Sequence, residues 1–542
     1  MGVSAGYFGQ RTAAVAMGLN AGKTLQGTNS VAIGINAGAG TQGESAVAIG
    51  TETGRNTQGT YAVAIGANAG RNAQGFAAVA IGLQAGISMQ GQSAVAVGYD
   101  AGANTQGSGS IAVGYQSGWT GQAPNAVAMG VSAGYFGQRS AAVAIGFNAG
   151  DTLQGTNAVA IGANAGAITQ GQDSVAIGNG AAQFTQSQEA VAIGYIAGQQ
   201  FQRQYAVAIG AYAAQITQGT QAVAIGVQSG YAVQGANAVA IGANAGQTAQ
   251  GTNAVAIGQF AGQNTQGINA VAIGTEAGRT RQGQYAVAIG NLAGQTAQGQ
   301  TAVAVGYFAG ANRQGNNAVA VGNEAGRNTQ GARAVAIGNM AGNIRQLFGA
   351  VAIGDSAGYT GQGQEAVAIG RNAALTGQGT YAVAIGYAAG YQNQPQKSIV
   401  INASGSIFSG AVESACYIRP VRALAAATAV YYNASTFEVS YLTSSRTTKN
   451  TIEDLTMDTS VLHDLRPRTF IYNSDPDAGK QIGYIAEEVA EINGHFATYN
   501  EPNGSPAAIN WNALSVFLVE EVKKLKRENE DLRARVLALE NR

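Results

Sequence analysis

The sequence predicts a mainly β chain: a long parallel β-solenoid of 16-residue coils, then a small α+β domain ending in a long helix. Three observations carry this. The pentapeptide Ala-Val-Ala-Ile-Gly, with small variations, recurs every 16 residues from Ala14 to Ser398, giving 25 copies. Gln keeps the same beat from Gln10 through Gln26, Gln42 and Gln58 to Gln394. Past Asn402 the repeat stops and Leu518 opens a heptad pattern. A period held this strictly means that one short unit stacks on itself.

One unit runs from Ala46 to Tyr61. Its first five residues alternate small and β-branched side chains, the period of a strand. Val47 and Ile49 share one face; Ala46, Ala48 and Gly50 share the other. Gly54 and Gly59 fall where a tight turn wants positive φ. Sixteen residues thus hold two short strands and two turns. A helix is excluded, because Gly makes up 80 of the 542 residues and falls inside every unit.

The Val/Ile face is expected to fill the coil, since packed sheets stand about 10 Å apart. The Ala/Ser/Gly face is then expected outside, as a smooth apolar stripe suited to close approach by other chains. A trimer is the assembly expected from that stripe. At about 4.8 Å per coil, 25 coils make a stack on the order of 120 Å. The Gln column reads as an amide ladder along the stack or, failing that, as a solvent-facing column left by duplication. Duplication is visible: residues Met1–Arg11 reappear at Met129–Arg139. Met1 sits at the slot that Ile49 fills, so the array is expected to extend upstream.

Composition bounds the chemistry. Net charge is zero and 10% of residues are charged, which gives no expectation of nucleic-acid binding. One cysteine, Cys416, excludes a disulfide framework. It also excludes Cys-based metal sites, and with only His463 and His495 as imidazole ligands no zinc centre or other metal site is expected, nor a cofactor. No apolar stretch is long enough for a membrane-spanning helix, and the first residues do not read as a signal peptide. Gly38-Ala39-Gly40-Thr41-Gln42-Gly43 matches a dinucleotide-binding glycine pattern, but two of its glycines belong to the repeat and no helix follows. The stretch from Gly18 to Lys23-Thr24 is one residue short of a phosphate-binding loop.

The last coil is Ser398-Ile399-Val400-Ile401-Asn402. The sequence divides into a shaft over 1–402, a β-rich connector over 403–443 and a C-terminal domain over 444–542, with a helix over 513–541. On that helix Leu518, Val522, Leu525, Asn529, Leu532, Val536 and Leu539 are spaced alternately four and three apart, the seam of a coiled coil. Val and Asn at a with Leu at d lean towards a dimer in isolation. The same stripe also suits a single helix packed on its own domain.

The shaft resembles the head repeats of YadA-type trimeric autotransporter adhesins, whose unit reads Asn-Ser-Val-Ala-Ile-Gly; Asn29-Ser30-Val31-Ala32-Ile33-Gly34 is a full match and Asn157-Ala158-Val159-Ala160-Ile161-Gly162 a near one. The resemblance covers about 390 residues. It implies a left-handed parallel β-roll, a homotrimer, and an adhesive or spacer role. Such adhesins carry a signal peptide and a membrane-anchoring barrel, and neither is read here.

The C-terminal segment looks like the peptidase S74 domain, the intramolecular chaperone that ends many phage tail spikes and fibres. Four blocks carry the match: Ser444-Ser445-Arg446-Thr447-Thr448-Lys449, Leu465-Arg466-Pro467-Arg468-Thr469-Phe470, Gly483 to Val489, and the closing helix. The family motif is Ser-Asp-x-Arg-x-Lys, and its members trimerise the fibre and then cut themselves off before the Ser. Carried over, Ser444 is the nucleophile, Lys449 the base, and Thr443–Ser444 the cleaved bond. A serine needs such a base, and a lysine serves as one when burial disfavours its ammonium. Ser445 stands where Asp is usual and Thr447 where Arg is usual.

The resemblances together imply a trimeric fibre on a virion surface or outside the cell, with a host-surface receptor or glycan as partner; a bacterial surface adhesin with a retained, non-cleaving domain is the alternative. A glycan-degrading spike would need paired carboxylates, and Glu52, Asp173, Glu189 and Glu276 are sporadic. An ice-binding solenoid would need a regular Thr-x-Thr face, which is absent. Tyr99, Tyr115, Phe147, Tyr195, Tyr307 and Tyr387 each follow the repeat glycine, placed for rim packing or for glycan contact.

Overall fold

The computed structural model describes residues 2–422, 430–432, 436–441, 444–473, 477, 479–499 and 504–541. The chain forms two compact units, Met1–Val421 and Arg422–Arg542.

In the first unit each coil gives a short strand, Val47–Ile49 for example, to one parallel sheet of 26 strands. Register is held in step: Val47 lies opposite Val31 on one side and Val63 on the other. Most coils add a second strand, here Thr57–Gln58, and these build a second parallel face in blocks of five and 13 strands. Between the blocks, Gln106, Gln122 and Gln154 keep single bridges. Each coil bonds both neighbours: the Val47 amide donates to the Ala62 carbonyl at 2.9 Å, and the Gly50 amide to that of Ile33 at 2.8 Å. The expected mainly β, parallel solenoid is what the chain adopts. Stacking continues past residue 402, because Cys416–Arg419 pairs in parallel with Ile399–Asn402.

The inside of the coil is the reverse of the expectation. Ala48 is fully buried, whereas Ile49 is 36% exposed and Val47 half-buried. The core is two columns of alanine, Ala240 and Ala245, Ala256 and Ala261, and so on along the stack. Thickness is the reason. A Cβ added at Gly54, across the coil from Ala48, would stand 3.4 Å from the Ala48 methyl and 3.0 Å from Gln58 Cδ. A coil this thin admits methyl groups and excludes Val or Ile, so the branched residues are turned outward. They form two apolar columns running the length of the sheet.

Glutamine is the large side chain of this core. Gln58 is buried; its Nε2 donates to the Val47 carbonyl at 2.7 Å and to Gln74 Oε1 at 3.1 Å. The ladder repeats along the stack, with breaks where Gln90 and Gln250 Oε1 accept no bond on that side. The solvent-facing alternative is therefore excluded. Gly54 has the expected positive φ, +52°. Gly59 does not; a Cβ there would strike the Gly75 backbone at 2.5 Å, so close stacking of coils demands it. At the C-terminal end Val400 replaces the core alanine, and Phe408 and Tyr417 pack against it with ring centroids 5.6 Å apart.

The second unit is α+β. Among the described residues three antiparallel strand pairs form, at Val430–Tyr432 with Val439–Tyr441, Arg468–Phe470 with Gln481–Gly483, and Ala497–Tyr499 with Pro506–Ile509. Helix α1 spans Ala486–Ile492 and helix α2 Trp511–Glu540. Its core joins Val489, Phe496, Leu514 and Phe517.

Candidate functional site

Ser445 opens a short 3-10 turn over Arg446–Thr448 by accepting a bond from the Thr447 amide at 3.2 Å. That turn bends the chain back, so Lys449 returns to Ser444. Lys449 Nζ donates to Ser444 Oγ at 2.8 Å. Both residues are exposed in the single chain. Thr443, the other side of the expected scissile bond, lies outside the described residues.

The two departures from the family motif touch each other: Ser445 Oγ and Thr447 Oγ1 are 2.8 Å apart. Ser, like Asp, is a favoured helix N-cap. An Asp with an Arg at these positions would pair as ions; here two hydroxyls occupy the same contact without charge.

Helix α2 presents two faces. Leu514, Phe517 and Glu521 are buried against the domain core. The seam lies on another face. Leu518, Val522, Leu525, Leu532, Val536 and Leu539 are 45–68% exposed, and Asn529 is exposed with them. Packing on its own domain accounts for the first turns of the helix but leaves the seam uncovered. Beside its start, Leu462, Leu465, Tyr484 and Trp511 line an apolar recess that continues into Leu518.

Glu521 is the polar residue that sequence reading missed. It is 3% exposed, accepts a 2.5 Å bond from Thr459 Oγ1, and meets His463 Nε2 at 3.0 Å. The Thr459 hydrogen bond, helped by His463 and Lys524, outweighs burial and holds the Glu521 carboxyl below the usual carboxylate range. Its signal was a carboxylate at the i+7 position of the Leu514/Phe517 stripe, on the inner face of an otherwise apolar turn.

Among the rim aromatics, exposed Tyr99 and Tyr115 stack at 5.3 Å, and Arg371 lies over half-buried Tyr387 at 4.9 Å. These contacts join neighbouring coils along the rim. Among the described residues no group of His, Cys, Asp and Glu could hold a metal ion, and no helix is long and apolar enough to cross a membrane.

Residues 26–53, 90–117, 154–181, 234–261 and 297–325 match the YadA head domain repeat. Residues 444–498 match the peptidase S74 family, described as the chaperone of endosialidase. The chain thus carries YadA head repeats followed by a chaperone domain, in that order. No curated protein matches it.

Proposed function

We propose that the chain is the subunit of a homotrimeric surface fibre, whose C-terminal domain assembles three shafts in register and then cuts itself away. The order of head repeats and chaperone domain carries this reading. Two uncovered surfaces support it. Two β-branched columns run along the whole first sheet, far more apolar area than a lone soluble chain normally exposes. The α2 seam is a second such surface.

Long repeats need a register device. A slip of one coil pairs Val47 with a residue of the same kind and buries nearly the same surface, so the stack cannot align itself. Three α2 helices joined at Leu518–Leu539 fix the register first, and the sheets then zip along their Val/Ile columns.

In the cleavage step Lys449 takes the Ser444 hydroxyl proton and the oxygen attacks the Thr443 carbonyl carbon. The peptide C–N bond breaks, the Ser444 nitrogen leaves with that proton as an amine, and an ester remains on Ser444 Oγ. Water then attacks the ester, freeing the Thr443 carboxylate and restoring the hydroxyl. A lysine does this only when its neutral form is favoured by burial. Exposure of the dyad in one chain therefore ties cleavage to assembly. Removal of the domain leaves a shaft that cannot refold, and so is stable kinetically.

Intact mass of full-length protein beside Ser444→Ala tests the cleavage. A wild-type product ending at Thr443, absent from the variant, is expected; two whole proteins would leave the domain a retained trimerisation cap, as in a bacterial adhesin.

A further inference from the structure

We infer that Arg281, Arg313 and Arg345 form a binding stripe for a linear acidic polysaccharide. The three occupy one column of the second sheet. Thr280 pairs with Thr296, Thr296 with Asn312, Asn312 with Asn328 and Asn328 with Ile344, while Gln282, Gln298, Gln314, Gln330 and Gln346 pair in the same steps. The residue between each pair therefore stacks in register: Arg281, Ala297, Arg313, Thr329, Arg345. Arginine recurs at every second coil, about 10 Å apart at ~4.8 Å per coil. Ala297 and Thr329 leave a gap between successive guanidiniums.

These arginines are unspent. All three are exposed, and among the described residues none of them makes an ion pair, a side-chain hydrogen bond or a ring contact. Their neighbours are engaged: Arg279 and Arg327 bond Glu276 and Glu324 at 3.0 Å, and Arg333 lies over Phe348. Glu276 and Glu324 are the only carboxylates between residues 264 and 350, against six arginines. In a chain of zero net charge this block is strongly basic. Beside the stripe Asn312 and Asn328 are joined at 2.9 Å, a pair of amides fit to meet hydroxyl groups.

An extended polysaccharide with one carboxylate per disaccharide repeats its charge on this length scale, and guanidinium binds carboxylate through paired N–H donors. A duplex nucleic acid carries charge far more densely, about one per 1.7 Å, and gains nothing from this spacing. The stripe deepens the adhesive reading and rests on it in one respect: the trimer must cover the first sheet and leave the second open.

The test uses the trimer of full-length Ser444→Ala, its mass checked by sedimentation in the same preparation, with hyaluronate oligosaccharides as probe and dextran as neutral control. Binding to hyaluronate, weakening with salt, is expected, with none to dextran. Arg281→Ala/Arg313→Ala/Arg345→Ala should lose at least tenfold. Ala297 holds the same backbone position at φ +55°, so these changes keep the fold. The charge-preserving pair Ala297→Arg/Arg313→Ala should also lose most binding. Equal binding by that variant, or equally tight binding of duplex DNA, would reduce the stripe to general basicity and overturn the inference. No hyaluronate binding by an intact trimer overturns it while leaving the fibre reading standing; a monomer strikes the fibre reading instead.

Discussion

Gln250 Nε2 donates to the Val239 carbonyl at 2.7 Å, across the inside of a single coil. The same nitrogen reaches the Ala254 carbonyl at 3.2 Å, and Gln266 Oε1 in the next coil at 3.2 Å. One side chain thus closes its own turn and ties it to the neighbour.

Gln250→Leu should keep the volume and remove the bonds. Leaving the Val239 carbonyl buried without its partner costs roughly 1–3 kcal/mol. Hydrogen exchange should show faster opening at coils around residue 250, with distant coils unchanged, because neighbours alone share the loss.

Ala240→Val and Val239→Ala should behave oppositely. A Cβ added at Gly246 would already stand 3.3 Å from the Ala240 methyl, so a larger side chain at 240 overpacks the coil by about 1–3 kcal/mol. Val239 points outward, and its truncation should leave a single coil intact while weakening chain–chain association. Thermal melting and sedimentation of the two variants separate these effects.

How much of this was legible is shown by the same pair of residues. Alternation in Ala-Val-Ala-Ile told that two faces exist, and the 16-residue period told that they stack. Which face is inside depends on coil thickness, and that is set across the coil by Gly54 against Ala48, a contact no periodicity reports. Glu521 escaped notice because its partners Thr459 and His463 lie 62 and 58 residues away. The contact between Ser444 and Lys449 was legible through their spacing, because a local turn brings the two side chains together.

The Glu521 carboxyl, held below its ordinary range, stabilises the folded domain at neutral pH. For a depressed carboxylate that stability is present above the unfolded pKa and is lost as pH falls through the folded one. Wild-type C-terminal domain should therefore lose melting temperature on acidification below the usual carboxylate range. Glu521→Gln should start lower at pH 7 and change less over the same interval.

Ser445→Asp and Thr447→Arg should be coupled, because the side chains at these positions touch at 2.8 Å. The double variant should cleave at least as fast as either single one, because Asp alone or Arg alone lacks the oppositely charged partner that the contact would supply. Densitometry of the released 444–542 fragment over time reads this directly.

Leu525→Asp places a charge on the open seam, where Leu525 is 45% exposed in the single chain. The domain should still fold, and trimer assembly together with cleavage should fail.

Sedimentation equilibrium of full-length Ser444→Ala decides whether three chains assemble. A species of three times 54.4 kDa that stays whole on dilution is expected. A stable monomer of 54.4 kDa, with its Val/Ile columns open to water, would contradict trimer assembly.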